Sequence, residues 1–153
     1  MTAKIVGLFV SNGGVPKLPI ETATIKTLGI VGDKQRDLRY HGGLDRTLCL
    51  YSQEKIAQLQ AEGHPIAGGT TGENVLISGI DWSLVKPGAR LQLGEIAVEV
   101  TCAITPCSNI AASFIDDNFN RIHHKKFPDD SRIGVRVLNE GDLHVGDEVS
   151  ILD

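Results

Sequence analysis

Apolar residues fall on every second position in several short stretches of the chain. Ile96, Val98 and Val100 alternate with Ala97 and Glu99, and Ile133, Val135 and Val137 with Gly134 and Arg136. That is the period of a strand with one buried face. Residues 4–10, 22–25, 47–51, 74–77, 89–93 and 148–152 are further strand-like segments. Gly94-Glu95 between two of them predicts a tight hairpin, and Asn139-Glu140-Gly141-Asp142 a turn. Helical spacing is confined to two places. Ser52 caps a helix predicted over residues 53–62, with Ile56 and Leu59 facing the core and Gly63 ending it. A shorter helix is predicted over residues 109–114, capped by Ser108, and residues 116–130 read as polar loop. Many short strands joined by Gly-Asp turns predict a mostly β fold, a barrel with a few short peripheral helices. No repeat, low-complexity tract or linker interrupts the chain, so residues 1–153 are read as a single domain.

Composition changes this picture little and narrows the function. At 153 residues, 41% hydrophobic and 22% charged, the chain can bury roughly two thirds of its unfolded surface without staples. A net charge of -4 and a pI near 5.7 argue against general nucleic-acid binding, which needs a basic face. No apolar run approaches the ~18 residues of a membrane span, and Met1-Thr2-Ala3-Lys4 leads directly into a strand, so the cytoplasm is the expected compartment. Cys49, Cys102 and Cys107 are an odd count without secretory context and are expected as free thiols. The spacing of Cys102 and Cys107 does not match a zinc knuckle.

Three segments carry candidate chemistry. Residues 32–46 hold Arg36, Arg39 and Arg46, Asp33, Asp37 and Asp45, and His41 around Gly42-Gly43. Glycines there let backbone N–H groups approach a ligand, and arginine forks suit phosphate or an oxygen-rich ring. A solvated loop with internal ion pairs has the same composition. Residues 68–74, Gly-Gly-Thr-Thr-Gly-Glu-Asn, lack the Gly-Lys-Ser/Thr ending of a P-loop; a turn with Thr71 or Asn74 bonding the local backbone is the plainer reading. In Thr105-Pro106-Cys107-Ser108-Asn109, proline fixes the chain before a thiol at a predicted helix start, where the dipole favours thiolate. Cys107 is therefore the candidate nucleophile or metal ligand, whereas Cys49 and Cys102 read as small buried hydrophobes. His64 and His144 are expected at the surface, and His123-His124-Lys125-Lys126 as a solvated basic run.

Taken in order, Gly32-Asp33-x-Gln35-x-Asp37-x-x-x-His41-Gly42-Gly43-x-Asp45-Arg46, Tyr51, Gly72-Glu73-Asn74 and Pro106-Cys107 resemble the MOSC family, the domain found at the C-terminus of molybdenum-cofactor sulfurases and as small stand-alone bacterial proteins. The resemblance runs from the first strand to Val145-Gly146-Asp147-Glu148-Val149. It implies a MOSC-type β-barrel that binds the molybdenum cofactor (molybdopterin), with Cys107 as molybdenum ligand. It also implies reduction of N-hydroxylated or N-oxygenated compounds, with a redox protein as electron donor. Asp33, Gln35, Asp37, His41, Gly42, Gly43, Asp45 and Arg46 would build the cofactor loop, and Gly72, Glu73 and Asn74 the opposing wall. Arg36, Arg39, Arg132 and Lys125 are added on charge grounds, because a phosphate-bearing pterin needs cations. Many stand-alone members carry arginine two residues before the cysteine, where this chain has Thr105. Two alternatives use the same residues: a sulfur carrier with a persulfide on Cys107, and a non-catalytic cofactor-binding module. Pyridoxal phosphate, bound by a separate domain in larger relatives, is not expected here. The alternatives leave substrate and oligomeric state open.

Overall fold

A computed structural model describes residues 2–11, 15–33 and 46–152. Eleven strands and one α-helix are formed among them: β1 (Ala3–Val10), β2 (Leu18–Ile20), β3 (Thr22–Lys26), β4 (Gly29–Ile30), β5 (Leu48–Ser52), α1 (Gln53–Ala61), β6 (Val75–Ser78), β7 (Arg90–Leu93), β8 (Ile96–Ala103), β9 (Ile133–Val137), β10 (Gly141–His144) and β11 (Glu148–Leu152). The main sheet runs β11-β7-β8-β9-β5-β6-β1-β2, and β11 also pairs with β1. That pairing closes seven strands into the expected barrel, and closure removes the sheet edges. β2 continues along β1 beyond β11. β10, β3 and β4 form a small second sheet.

Every pairing is antiparallel except β5 with β6, which α1 joins as a crossover. Ser52 caps that helix, its hydroxyl accepting from the Lys55 N–H at 3.2 Å. Ile56 and Leu59 are buried, and Gly63 follows at φ +102°, where a Cβ would be strained. The helix thus follows its sequence pattern closely. The Gly94-Glu95 hairpin is also formed, with Leu93 opposite Ile96.

Side chains fill the barrel. Ile5, Leu50, Ile77, Leu91, Val98 and Val135 are fully buried in one apolar cluster, as expected where the interior of a small barrel leaves no channel. On β9, Ile133 and Val135 lie in this core, so Gly134, itself buried, and the exposed Arg136 are on the opposite side of the strand.

Between β8 and β9 the chain makes a long excursion over the barrel through short 3-10 turns, Ser108–Ser113, Ile115–Asp117 and Phe119–Ile122. It is pinned at several points. Tyr51 donates from Oη to the Asp130 carbonyl at 2.5 Å, Trp82 from Nε1 to the Ser131 carbonyl at 2.8 Å, and Ser113 Oγ to Thr70 Oγ1 at 2.9 Å. Arg121 bridges Glu62 and Asp130.

Three expectations need correction. The helix predicted over residues 109–114 is a 3-10 turn of six residues, too short and too tightly wound for an aligned α-helical dipole at Cys107. His64 is buried, because its Nδ1 accepts from the Ile115 N–H at 3.1 Å and its ring meets Phe114 edge-on. Gly141 and Asp142, expected within the turn after β9, instead open β10, where they pair with Ile25 and Thr24 of β3.

Candidate functional site

The candidate site is built on the outer face of the wall formed by β5, β9 and β8. Cys49 on β5 and Cys102 on β8 both stand opposite Gly134 on β9. Continued alternation would turn Cys102 into the barrel with Val98 and Val100. A bulge between Val100 and Cys102 re-aims it outward. Its sulfur lies 3.1 Å from where a Cβ on Gly134 would sit, and Arg46 Cγ lies 3.4 Å from that point. The missing side chain at Gly134 leaves the room that both occupy. A surface cavity of about 490 Å³ opens here, lined by Arg46, Cys102, Arg136, Thr101, Glu99 and Gly88 among others. Cys102 is thus half-buried against a cavity, not the small buried hydrophobe its strand pattern suggests. Cys49 is likewise half-buried rather than part of the core, and desolvation pushes its thiol up to about 11.

The second component is the 68–74 loop. Gly69 sits where a Cβ would come within 2.4 Å of the Lys17 carbonyl oxygen and 2.9 Å of the Phe9 ring, and Gly72 holds φ +85°. Asn74 does more than the local turn contact expected of it. Its Oδ1 accepts from the Cys49 N–H at 3.0 Å, and its Nδ2 donates to the Phe9 carbonyl at 3.2 Å and to Asp33 Oδ2 at 3.0 Å. Asp33 accepts in addition from the Ser11 N–H at 2.8 Å and from Lys17 Nζ at 2.9 Å. One buried carboxylate thereby ties the start of the 32–46 segment to β1, to Lys17 and to the 68–74 loop.

Thr71 joins the remaining two groups. Its hydroxyl donates to Glu73 Oε1 at 3.0 Å, and its carbonyl accepts from Arg132 Nη1 at 2.5 Å. Both charged residues are buried, yet among the described residues Glu73 Oε2 and Arg132 Nε have no hydrogen-bond partner. Burial pushes the Glu73 carboxyl above its ordinary range, outweighing the bonds and the Arg132 charge that favour ionisation.

Cys107 is an exposed free thiol at the N-cap of the 108–113 turn, and its side chain makes no capping bond. The β8–β9 ladder extends to a rung from the Ile104 N–H to the Arg132 carbonyl at 2.9 Å. Three further residues reach Cys107, so its Cα lies within about 11 Å of that of Ile104. The structure therefore draws Asp33, Glu73, Asn74 and Arg132 together through Thr71 and Asn74, sets Arg46 beside Gly134, and leaves Cys107 at the surface beyond the Arg132 rung. Lys125 is exposed, with its backbone N–H on His123 Nδ1. Gln35, Arg36, Asp37, Arg39, His41, Gly42, Gly43 and Asp45 lie outside the described residues.

The MOSC domain model matches residues 37–150, which span the barrel from β5 to β11 together with Cys107 and Arg132. The chain belongs to the MOSC domain family. Two relatives agree: YflK of Bacillus subtilis, 27% identical over 142 residues, and YiiM of Escherichia coli, 28% identical over 105. The matches cover 91% and 65% of this chain but only 63% and 47% of those proteins, so the chain spans less than two thirds of either relative. The crystal structure of YuaD from Bacillus subtilis shares the fold, with a TM-score of 0.73 at 21% identity, covering 99% of this chain and 96% of YuaD.

Among residues the sequence did not single out, Lys17 and Gly134 matter most in this MOSC domain, while Thr71, expected only as a turn residue, joins Glu73 to Arg132. Gly134 was detectable in principle, as a glycine in a run of otherwise side-chain-bearing strand residues. Lys17 follows a proline-broken loop with no periodic signal. Among the described residues no group of three metal-binding side chains converges. No helix among them is long and apolar enough to cross a membrane.

Proposed function

We propose that this MOSC protein binds the molybdenum cofactor on the outer face of the β5–β9–β8 wall and reduces N-hydroxylated or N-oxygenated compounds, with Cys107 as the protein's ligand to the metal. The observation that carries this reading is an exposed, uncapped thiol reached three residues beyond the rung of a buried arginine whose Nε has no hydrogen-bond partner among the described residues.

These residues fit such a group. A thiolate is a soft ligand suited to molybdenum held by further sulfurs, and Arg132 Nε is a buried donor awaiting an acceptor. Arg46, which lines the cavity, is a further cation on this face. When bound, the cofactor supplies the two-electron redox chemistry and a site for the substrate oxygen. The chain's own part is to bind and orient. Asp33 and Asn74 fix the loops that flank the wall, Gly134 keeps the surface flat, and Arg46 and Arg132 supply positive charge where the anionic ligand rests. The net reaction converts an N-hydroxylated amine, two electrons and two protons into the amine and water, the electrons coming from a partner redox protein.

The test is turnover. Protein from a cofactor-competent host, supplied with a chemical one-electron reductant, is expected to reduce an N-hydroxylated amidine, and Cys107→Ser to lose that activity. Cofactor retained without turnover in the wild type rejects the reductase in favour of a passive binding module. The exposure of Cys107 also favours a second reading, a sulfur carrier. There the thiol would hold a persulfide, visible as one added sulfur on the Cys107 peptide.

A further inference from the structure

The excursion between β8 and β9 carries a basic run, His123-His124-Lys125-Lys126, on a chain whose net charge is -4. The run is folded into a compact knuckle. The Lys126 and Phe127 N–H groups both donate to the His123 carbonyl, at 3.1 and 2.9 Å, and the Asp130 N–H donates to the Phe127 carbonyl at 3.0 Å. The His123 and His124 rings stack with centroids 4.7 Å apart. Tyr51 and Trp82 hold the end of the segment through the Asp130 and Ser131 carbonyls, so the knuckle is braced against the barrel.

Its two lysines are left without counter-charges. Asp129 pairs with Lys86, Asp130 with Lys55 and Arg121, and Glu62 with Arg121. Lys125 and Lys126 are exposed, and among the described residues neither has a carboxylate within ion-pair distance. Phe127 follows them at 36% exposure, with the Arg121 guanidinium 4.4 Å from its ring centroid, and Pro128 is exposed as well. An aromatic ring backed by arginine and rimmed by free charge has the make-up of a protein interface.

Electrostatics narrows the partner. Free cations on an otherwise acidic chain attract a carboxylate-rich surface to this knuckle and repel it elsewhere, which orients the encounter. Two lysines neutralise too few phosphates for firm nucleic-acid binding. The location fits the proposed chemistry. The 119–122 turn that feeds the knuckle packs against the 108–113 turn capped by Cys107. The Phe127 Cα also lies within about 19 Å of that of Arg132, five residues further on.

We propose that residues 123–128 are the docking surface for the acidic face of a small electron-transfer protein, with Phe127 as anchor and Lys125 and Lys126 pairing with its carboxylates. This rests on the reductase reading for the need of a donor, and deepens it by naming the donor's surface chemistry and where it lands. A one-electron carrier docks twice per turnover and leaves oxidised each time, while the two protons come from solvent.

The experiment measures binding of the full chain, with and without cofactor, to an acidic [2Fe–2S] ferredoxin and an acidic flavodoxin at low and high salt. At least one carrier is expected to bind, with Kd rising at least ~10-fold from low to high salt. Lys126→Glu and Phe127→Ser, both at exposed positions, are each expected to weaken binding about fivefold or more. Lys4→Glu, the same charge change at an exposed position on β1, is expected to stay within about twofold of wild type. In loaded protein, Lys126→Glu is expected to slow turnover driven by the carrier and to leave turnover with a chemical reductant unchanged. Failure of both carriers to bind overturns the proposal, as does equal weakening by Lys126→Glu and Lys4→Glu. Binding of phosphatidylserine vesicles in place of either carrier overturns it too, by giving the knuckle to a membrane. A chain that binds a carrier through Lys126 and Phe127 but never loads molybdenum or pterin overturns the reductase reading and leaves the docking surface standing.

Discussion

The Cys102 sulfur rests over Gly134, 3.1 Å from the position a Cβ would take there. This contact links the bulge in β8 to the open surface of β9, since the bulge turns the thiol outward and the glycine gives it space. Gly134→Ala would press a methyl group against both Cys102 Sγ and Ile104 Cδ1, which also lies at 3.1 Å. Urea unfolding is expected to show a loss of about 1–2 kcal/mol, as for overpacking elsewhere. A variant as stable as wild type would mean that the wall relaxes freely.

Asn74 holds three segments with one amide, bonding the Cys49 N–H, the Phe9 carbonyl and Asp33. Asn74→Leu keeps the volume but strands these buried groups, at an expected cost of about 2–4 kcal/mol in urea unfolding. The released Asp33 carboxylate would retain Lys17. A loss below about 1 kcal/mol would show that the three segments are held by other contacts.

The thiols should react in a fixed order. Cys107 is exposed, Cys102 and Cys49 are both half-buried, and desolvation holds the Cys49 thiol up to about 11, so it carries little thiolate at neutral pH. Timed alkylation at pH 7.5 followed by peptide mass spectrometry is expected to label Cys107 first and Cys49 last. Early labelling of Cys49 would contradict the buried wall.

Glu73 predicts a pH dependence of stability. Burial raises its folded pKa above the ordinary value near 4.5, so the folded state keeps a proton that the unfolded chain releases as pH climbs. The favourable contribution is complete below about 4.5 and is lost as pH rises toward the folded value. Wild type and Glu73→Gln are therefore expected to match near pH 4, with wild type falling progressively behind above pH 4.5. A deficit of the wild type that instead grows toward low pH would indicate an ionised, paired carboxylate.

The fold was legible where periodicity is strong. Alternation in Ile96–Val100 and Ile133–Val137, and the Ser52 to Gly63 helix signals, led directly to the barrel wall and to α1. The site was legible only in part. Cys107, Asn74 and Arg132 were marked by type and order, but the outward turn of Cys102 depends on a one-residue bulge that leaves no mark in an apolar alternation. His64 looked like surface because a helix stop precedes it; a long-range bond from the Ile115 N–H buries it. The length of the 108–113 turn was set by the Ser113 and His64 anchors that hold the excursion to the barrel, rather than by local propensity.

Everything proposed for catalysis converges on whether Cys107 holds the metal. The most direct measurement is molybdenum and pterin content by mass spectrometry, on wild type and Cys107→Ser produced side by side in a cofactor-competent host. Near-stoichiometric molybdenum is expected in the wild type and at least a ~10-fold loss in the variant, with the β fold intact by circular dichroism. Wild-type protein free of molybdenum and pterin, or a variant that retains molybdenum in full, would contradict it.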